Sequence, residues 1–227
     1  MVHLGGEDRV RPGVRRVTLA SAATATFSAA LWWRKHPSAC PYGQRFWVEM
    51  PHPFITRRRL HRVLAPSTGE RVLEIGPGTG YYSLDVAKAL GSDGRLDLLD
   101  LQREMLDHTM RRAAARGLAN VLPAQGDAQA LPYLDDSFDG AYMVATLGEV
   151  PDQLSVLREI RRVLKPEGRV VVGELFGDPH WVPFGRLQAR ASAAGLSFEQ
   201  RAGSPLGYFA RFCPAARVVE HLGDGPD

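Results

Sequence analysis

Apolar residues fall along this chain in short runs separated by longer amphipathic stretches. Val72-Leu73-Glu74-Ile75 is a compact aliphatic run that meets Gly76-Pro77-Gly78-Thr79-Gly80, and an amphipathic segment follows from Tyr81 to Leu90. Runs of this length and composition mark strands buried on both faces, and the glycines mark a tight link into a helix. The pattern then repeats. After the turn at Gly91-Ser92-Asp93-Gly94, Arg95 to Asp100 reads as a second buried strand, Val121 to Gln125 as a third and Ser137 to Val144 as a fourth. Asp152 to Leu164 carries Leu154, Leu157, Ile160 and Leu164 on one face, with Pro151 near its start and Lys165-Pro166-Glu167-Gly168 as a stop. That spacing predicts a helix, and Arg169 to Glu174 a fifth strand. Strands alternating with helices at this interval predict an α/β fold with a doubly wound, mostly parallel sheet.

The chemistry of the glycine loop narrows its ligand. A strand, a glycine turn and a helix form a nucleotide-type site at a strand's carboxyl end. A dinucleotide fingerprint would place its third glycine where this chain has Tyr81. Glu74 at the strand end repels a pyrophosphate and attracts a cation, and Pro77 lacks the N–H that a phosphate cradle uses. The loop therefore suits a cationic nucleoside without phosphates, a description that S-adenosyl-L-methionine fits. Asp100 lies 20 residues after Gly80, where an acid accepts both ribose hydroxyls, although that placement serves NAD equally. Gly126-Asp127-Ala128, after the third strand, is placed for contact with the adenine amino group.

The segments VLEIGPGTG, LLD, GDAQALPYLDDSFD and LREIRRVLKPEGRVVVGE together resemble the successive motifs of class I SAM-dependent methyltransferases. In pattern they are most similar to the ubiquinone/menaquinone-biosynthesis C-methyltransferases and the small-molecule group around them. The resemblance spans roughly residues 66 to 213; it is specific for the superfamily and uninformative about substrate. It implies that Glu74, Gly76, Gly78 and Gly80 hold the methionine part, Asp100 the ribose, and Asp127 with Ala128 the adenine. It also implies a Rossmann-like, seven-stranded sheet of order 3-2-1-4-5-7-6 with the seventh strand antiparallel. Ser197 to Arg201 and Tyr208 to Cys213, joined at Gly203 to Gly207, would supply the closing hairpin.

Charge divides the chain. Residues 1–65 hold 11 Lys/Arg against 3 Asp/Glu and residues 66–227 hold 17 against 22, so the net +3 conceals a basic head on an acidic body. We expect three parts: a basic, helical N-terminal extension (1–65), a catalytic domain (66–213) and a tail (214–227). Nucleic acid is not expected, because the body has no basic stripe to track a backbone; anionic lipid explains the basic head at least as well. Cys40 and Cys213 give no disulfide framework, and the histidines show no metal-ligand spacing, so no metal is expected.

Within the extension, residues 17–33 are uncharged, end in Trp32-Trp33, and lie between Arg15-Arg16 and Arg34-Lys35. A membrane-surface contact through residues 17–35, a plain helix over the active-site mouth, and a twin-arginine export signal all fit this pattern. Export would separate the enzyme from its methyl donor, so the expected location is cytoplasmic, with or without membrane association. The aromatic and proline-rich belt from Pro37 to Phe54 is placed to line a substrate pocket or to pack structurally, and Arg57 to Leu64 reads as a helix with a solvated basic face.

Methyl transfer from a sulfonium is an in-line displacement, so an enzyme must align the reactants and exclude water. Tyr81 or Tyr82 would face the sulfonium. A poorly acidic nucleophile also needs a base, for which Glu149, His180, His52 and Tyr42 are candidates. Thr146-Leu147-Gly148-Glu149 does not match the N-P-P-Y pattern of DNA or glutamine amino-methylators. The expected function is therefore methylation of a small, apolar molecule of quinone, lipid or polyketide type. A SAM-binding protein without transfer activity and an NAD-dependent oxidoreductase are the rival readings.

Overall fold

The structure, a computed structural model, describes residues 38–44, 46 and 52–215. The expectations for residues 17–35 fall outside these residues. Among the described residues, five helices flank one sheet of seven strands. In chain order these are α1 (Arg57–Leu64), β1 (Arg71–Ile75), α2 (Ser83–Leu90), β2 (Arg95–Asp100), α3 (Arg103–Ala114), β3 (Val121–Gln125), β4 (Phe138–Val144), α4 (Gln153–Val163), β5 (Leu164–Leu175), α5 (Phe184–Ala193), β6 (Leu196–Ser204) and β7 (Gly207–Pro214).

The spatial order is β3-β2-β1-β4-β5-β7-β6, parallel except for β7, which runs antiparallel to both β5 and β6. This is the order and direction that the sequence motifs imply. Two apolar layers sandwich the sheet. Leu60 of α1, Leu84 and Leu90 of α2 and Leu106 of α3 pack on one face, and Leu157 and Ile160 of α4 with Leu187 of α5 pack on the other. β1 is buried at Val72, Leu73, Glu74 and Ile75, as a strand with helices on both faces must be.

Local chemistry sets several boundaries. The Thr56 hydroxyl accepts the Arg59 N–H at the start of α1, and the Asp152 carboxylate accepts the N–H groups of Leu154 and Ser155 at the start of α4. The helix stops just before Lys165–Gly168 as expected, and these residues also form a bulge: Phe138 pairs with Leu164 and Gly140 with Arg169, so the four residues between them loop out of β5. Arg169, 7% exposed, anchors the lower rim of the sheet. Its guanidinium donates to the carbonyls of Leu64, Ala65 and Asp139 and pairs with Glu70 at 2.6 Å. None of the helices among the described residues is long and apolar enough to cross a membrane.

The chain reverses its direction of travel across the sheet between β1 and β4. A crevice therefore opens beyond their carboxyl ends, where ligands of open α/β sheets bind.

Candidate active site

The crevice floor is the loop from Gly76 to Tyr82. Gly76, Gly78 and Gly80 all adopt left-handed φ angles of 67°, 54° and 77°, which only glycine takes up without strain. Two of them are also pressed by neighbours: a Cβ on Gly76 would lie 2.5 Å from Thr146 Cγ2, and one on Gly80 2.7 Å from Thr109 Cγ2. The loop is tied from outside, with Thr109 Oγ1 donating to the Gly78 carbonyl at 2.9 Å and Arg112 to that of Thr79 at 2.6 Å.

Acids end the strands around this floor. Glu74, on β1, is 2% exposed. Burial pushes its carboxyl up to about 7, against the pull of the nearby Ser83 and Tyr142 hydroxyls. Those hydroxyls lie beside the carboxyl, yet Glu74 Oε2, Ser83 Oγ and Tyr142 Oη all lack a hydrogen bond of good geometry. Asp100, at the end of β2, is likewise raised by burial although it accepts N–H groups of Gln102, Gly78 and Leu101. The bond to Gly78 places this carboxylate directly on the glycine loop. The Gly126 N–H donates to the Asp100 carbonyl at 3.0 Å, which sets the 126–128 loop alongside. There Ala128 is buried in the core, and the exposed Asp127 is held by the backbone and side-chain N–H groups of Gln129.

A second acidic group closes the opposite end, beyond β4 and β5. Glu149 is half-buried in a 3-10 turn, Leu147–Glu149. Burial raises its carboxyl to about 8, the Asp178 charge adds to the rise, and a backbone hydrogen bond from Cys40 opposes it. Asp178 is raised by burial too, while His180 and His52 counter it. Glu174, 1% exposed on β5, stands well above the carboxylate range because of its burial. One of its oxygens accepts the Val182 N–H and the other has no partner. Gly148 joins the two loops, since a Cβ there would lie 1.7 Å from the His180 carbonyl oxygen. Neighbouring Ala145 sits at φ 53°, a left-handed strain at the strand end.

Among the base candidates, the structure brings Glu149 and His52 to Asp178, and sets the His180 backbone on Gly148. The His180 N–H donates to Asp178 at 2.7 Å, in keeping with a turn role for that segment. Burial lowers the pKa of His52 while Asp178 raises it, and its ring meets that of Tyr81 edge-on at 6.2 Å. Tyr42 sits elsewhere, with its hydroxyl 3.3 Å from Nδ1 of His108 on α3. Tyr82 is a correction to the sulfonium reading: it is 8% exposed, donates to the Ile55 carbonyl at 2.6 Å and packs edge-on against Phe209 in the core. Tyr81 alone of the two stays half-exposed at the crevice, beside His52 and beneath the Arg57 guanidinium.

Sequence reasoning passed over Asp178, Glu174 and Gln102 as site residues. The Gln102 side chain donates to the Cys40 carbonyl at 2.8 Å and accepts the Tyr42 N–H at 3.1 Å, while its own N–H donates to Asp100. Cys40 and Tyr42 are thus both tied to Gln102, beside Asp100, and the Cys40 backbone also bonds Glu149.

The donor set fits S-adenosyl-L-methionine. Three buried carboxyls, two orphaned carboxylate oxygens and a side-chain-free glycine floor suit a cation carrying an ammonium and a ribose. They oppose a polyphosphate, and Tyr81 occupies the third dinucleotide position. Among the described residues no trio of His, Cys, Asp or Glu is placed to hold a metal ion.

Comparison with known proteins agrees with the geometry. The ubiE/COQ5 methyltransferase family model matches residues 52–182. The chain is 42% identical over 114 residues to the ubiquinone/menaquinone biosynthesis C-methyltransferase UbiE of Cellvibrio japonicus, covering 50% of this chain and 45% of that one. It is 36% identical over 115 residues to a demethylmenaquinone methyltransferase of Geobacillus kaustophilus, covering 51% and 49%. The chain thus spans about half the length of the curated relatives it matches. Among solved structures, a SAM-dependent methyltransferase from Aquifex aeolicus superposes with a TM-score of 0.71 at 18% identity, over 77% of this chain and 98% of that one. The [4+2]-cyclase SpnF superposes at 0.62 with 20% identity, over 70% and 80%. These neighbours fix the fold and no more. The family match, which takes in Glu74, the glycine loop, Asp100, Glu149 and Asp178, carries the assignment: the chain belongs to the ubiE/COQ5 methyltransferase family.

Proposed function

We propose that this chain transfers a methyl group from S-adenosyl-L-methionine to a small apolar acceptor of quinone type. The observation that carries this reading is the family match over a crevice whose floor is bare glycine and whose rim is buried carboxylate. Glu74 and the glycine loop would hold the methionine part, Asp100 the ribose, and the loop at Asp127 and Ala128 the adenine. When bound, the cofactor supplies an electrophilic methyl on a sulfonium.

The chain's own residues then have two tasks. Tyr81 would present a π-face near the floor, and residues 40–42, held by Gln102 and Glu149, would help to shield the acceptor end from water. Glu149, raised by burial and by Asp178, is matched to take a proton from a phenolic hydroxyl near neutral pH. Removing that proton would make a ring carbon of the acceptor nucleophilic toward the methyl that the bound cofactor would supply, and the hydrogen displaced from that carbon would leave as a proton to restore the aromatic ring. The similarity to a ubiquinone/menaquinone biosynthesis C-methyltransferase and a demethylmenaquinone methyltransferase favours a quinol over the lipid or polyketide alternatives.

The test is incubation of the purified full chain with methyl-tritiated SAM and a reduced demethylated naphthoquinone, followed by solvent extraction. Label in the organic phase, together with S-adenosylhomocysteine, is expected. Tight SAM binding without transfer to any quinol would reduce the chain to a SAM-binding protein.

A further inference from the structure

Three of the eight exposed large hydrophobics among the described residues meet at one edge of the sheet domain. Phe176 is 57% exposed just after β5, Leu206 is 44% exposed in the β6–β7 turn, and Phe54 is 38% exposed before α1. Their backbones are joined. The Phe176 N–H donates to the Leu206 carbonyl at 3.1 Å, and a Cβ on Gly207 would lie 2.6 Å from Phe54 Cβ. Phe176 also meets Trp181 edge-on at 5.3 Å. This edge borders the acceptor end of the crevice, because Asp178 follows Phe176 by two residues and His52 precedes Phe54 by two.

Cations begin where the apolar residues stop. The Arg59 guanidinium donates to the Phe54 carbonyl. α1 contains four arginines and no acid, and because Leu60, Val63 and Leu64 form its buried face, Arg57, Arg58, His61 and Arg62 point outward. With Lys88 they line an open groove of about 580 Å³ whose single acid, Asp85, already pairs with Arg57 at 3.2 Å and Arg116 at 3.9 Å. On a body whose residues 66–227 are net acidic, a strongly cationic face of this kind orients the molecule in an electric field. An apolar tip beside a cationic helix is the layout of a surface that lies in a lipid interface, with rings in the acyl boundary and guanidinium groups among headgroups.

We infer that the Phe54–Phe176–Leu206 edge and the arginine face of α1 form a docking surface for an anionic lipid bilayer. It holds the acceptor mouth against the membrane, where an apolar substrate is dissolved. The inference rests on the proposed apolar acceptor only for its purpose, since the binding itself needs neither cofactor nor turnover.

Co-sedimentation of the full chain with phosphatidylcholine vesicles, with and without phosphatidylglycerol, tests it. The unmodified chain should bind the anionic vesicles more tightly, and added salt should weaken that binding. R58E/R62E should lose about twentyfold or more in affinity for anionic vesicles. F176S/L206S should lose about tenfold with the charges intact. Both pairs lie on the surface, so circular dichroism and SAM affinity by calorimetry should match the unmodified chain. Equal binding by all three proteins, or no preference for anionic vesicles, overturns the inference. So does loss of oligonucleotide binding in R58E/R62E with vesicle binding unchanged, which would assign the cations to nucleic acid. Loss of SAM binding in the unmodified chain would instead strike the functional reading and leave the vesicle result standing.

Discussion

Replacing Glu74 with Gln should stabilise the ligand-free protein above neutral pH while weakening its hold on SAM. Glu74 is fully enclosed on β1, and its carboxyl moves from an ordinary 4.5 to about 7 because burial disfavours the charged form. Between those values the folded state binds a proton that the unfolded chain has already released. Stability from this group is therefore complete below about 4.5 and declines as pH rises through about 7. At 1.36 kcal/mol per pH unit the loss comes to about 3 kcal/mol by pH 8. Gln keeps the shape and carries no charge, so it escapes this loss. Its amide must still find partners, for which the unpaired Ser83 and Tyr142 hydroxyls are at hand. The net gain should be about 1–3 kcal/mol at pH 8 and near zero at pH 5. Urea unfolding of both proteins at several pH values measures it. Glu149, Glu174, Asp178 and Asp100 are also raised by burial and tilt both curves alike, so the difference between the curves isolates Glu74. A variant destabilised at pH 8, with the same pH slope as the unmodified protein, would refute the reasoning.

Four further outcomes are expected. Asp100→Ala should weaken SAM binding by about 1–3 kcal/mol, read by calorimetry, through lost ribose hydrogen bonds. Glu149→Gln should lower kcat by about a hundredfold or more, and the rise in rate expected of the unmodified protein as pH climbs toward about 8 should be absent from the variant's pH–rate profile. Gly148→Ala places a methyl 1.7 Å from the His180 carbonyl, so the two acceptor loops must part. This should cost about 1–3 kcal/mol of stability by urea unfolding and raise KM for the acceptor more than for SAM. Arg169→Met strands Glu70 and three carbonyls, and should cost about 3 kcal/mol in the same unfolding assay.

How much of this was legible in the sequence depended on whether neighbours along the chain or neighbours in space set each feature. β2 and β3 carry local signals, aliphatic content and bounding turns, and their limits match the pattern reading residue for residue. The helix stop at Lys165–Gly168 was legible, but the bulge that the same residues make in β5 was not, because only pairing with Phe138 and Gly140 decides it. The glycine loop was readable because its requirement is backbone conformation, which residue type reports directly. Asp178 and Gln102 were not, since each acts on partners far along the chain: Asp178 on His52 and Glu149, Gln102 on Cys40 and Tyr42. Tyr81 and Tyr82 are identical and adjacent in sequence, and only the side to which the chain turns sends one to the crevice and the other to the core.

The distribution of ion pairs ties these observations together. Among the described residues, salt bridges engage Asp85, Asp97, Asp107, Asp135, Asp139, Glu159, Glu199 and Glu70, which lie away from the crevice. Glu74, Asp100, Glu149 and Glu174, at or beyond the carboxyl ends of four strands, take part in none. The paired acids include the buried Asp97, held by Arg71 and Arg95, whereas the acids of the crevice, which burial penalises, are left without a cation. Stability alone favours the reverse, because an unpaired buried acid costs more than an exposed one. The arrangement is consistent with a site whose counter-charge arrives with its ligand, and it implies that SAM binding releases few protons at high pH and more as the pH falls. Calorimetry in buffers of differing ionisation enthalpy reads this directly. Proton release on binding should grow as pH falls below about 7, and Glu74→Gln should remove most of that growth. Binding without proton release at any pH would mean that the crevice acids are already charged, and that burial does not govern them.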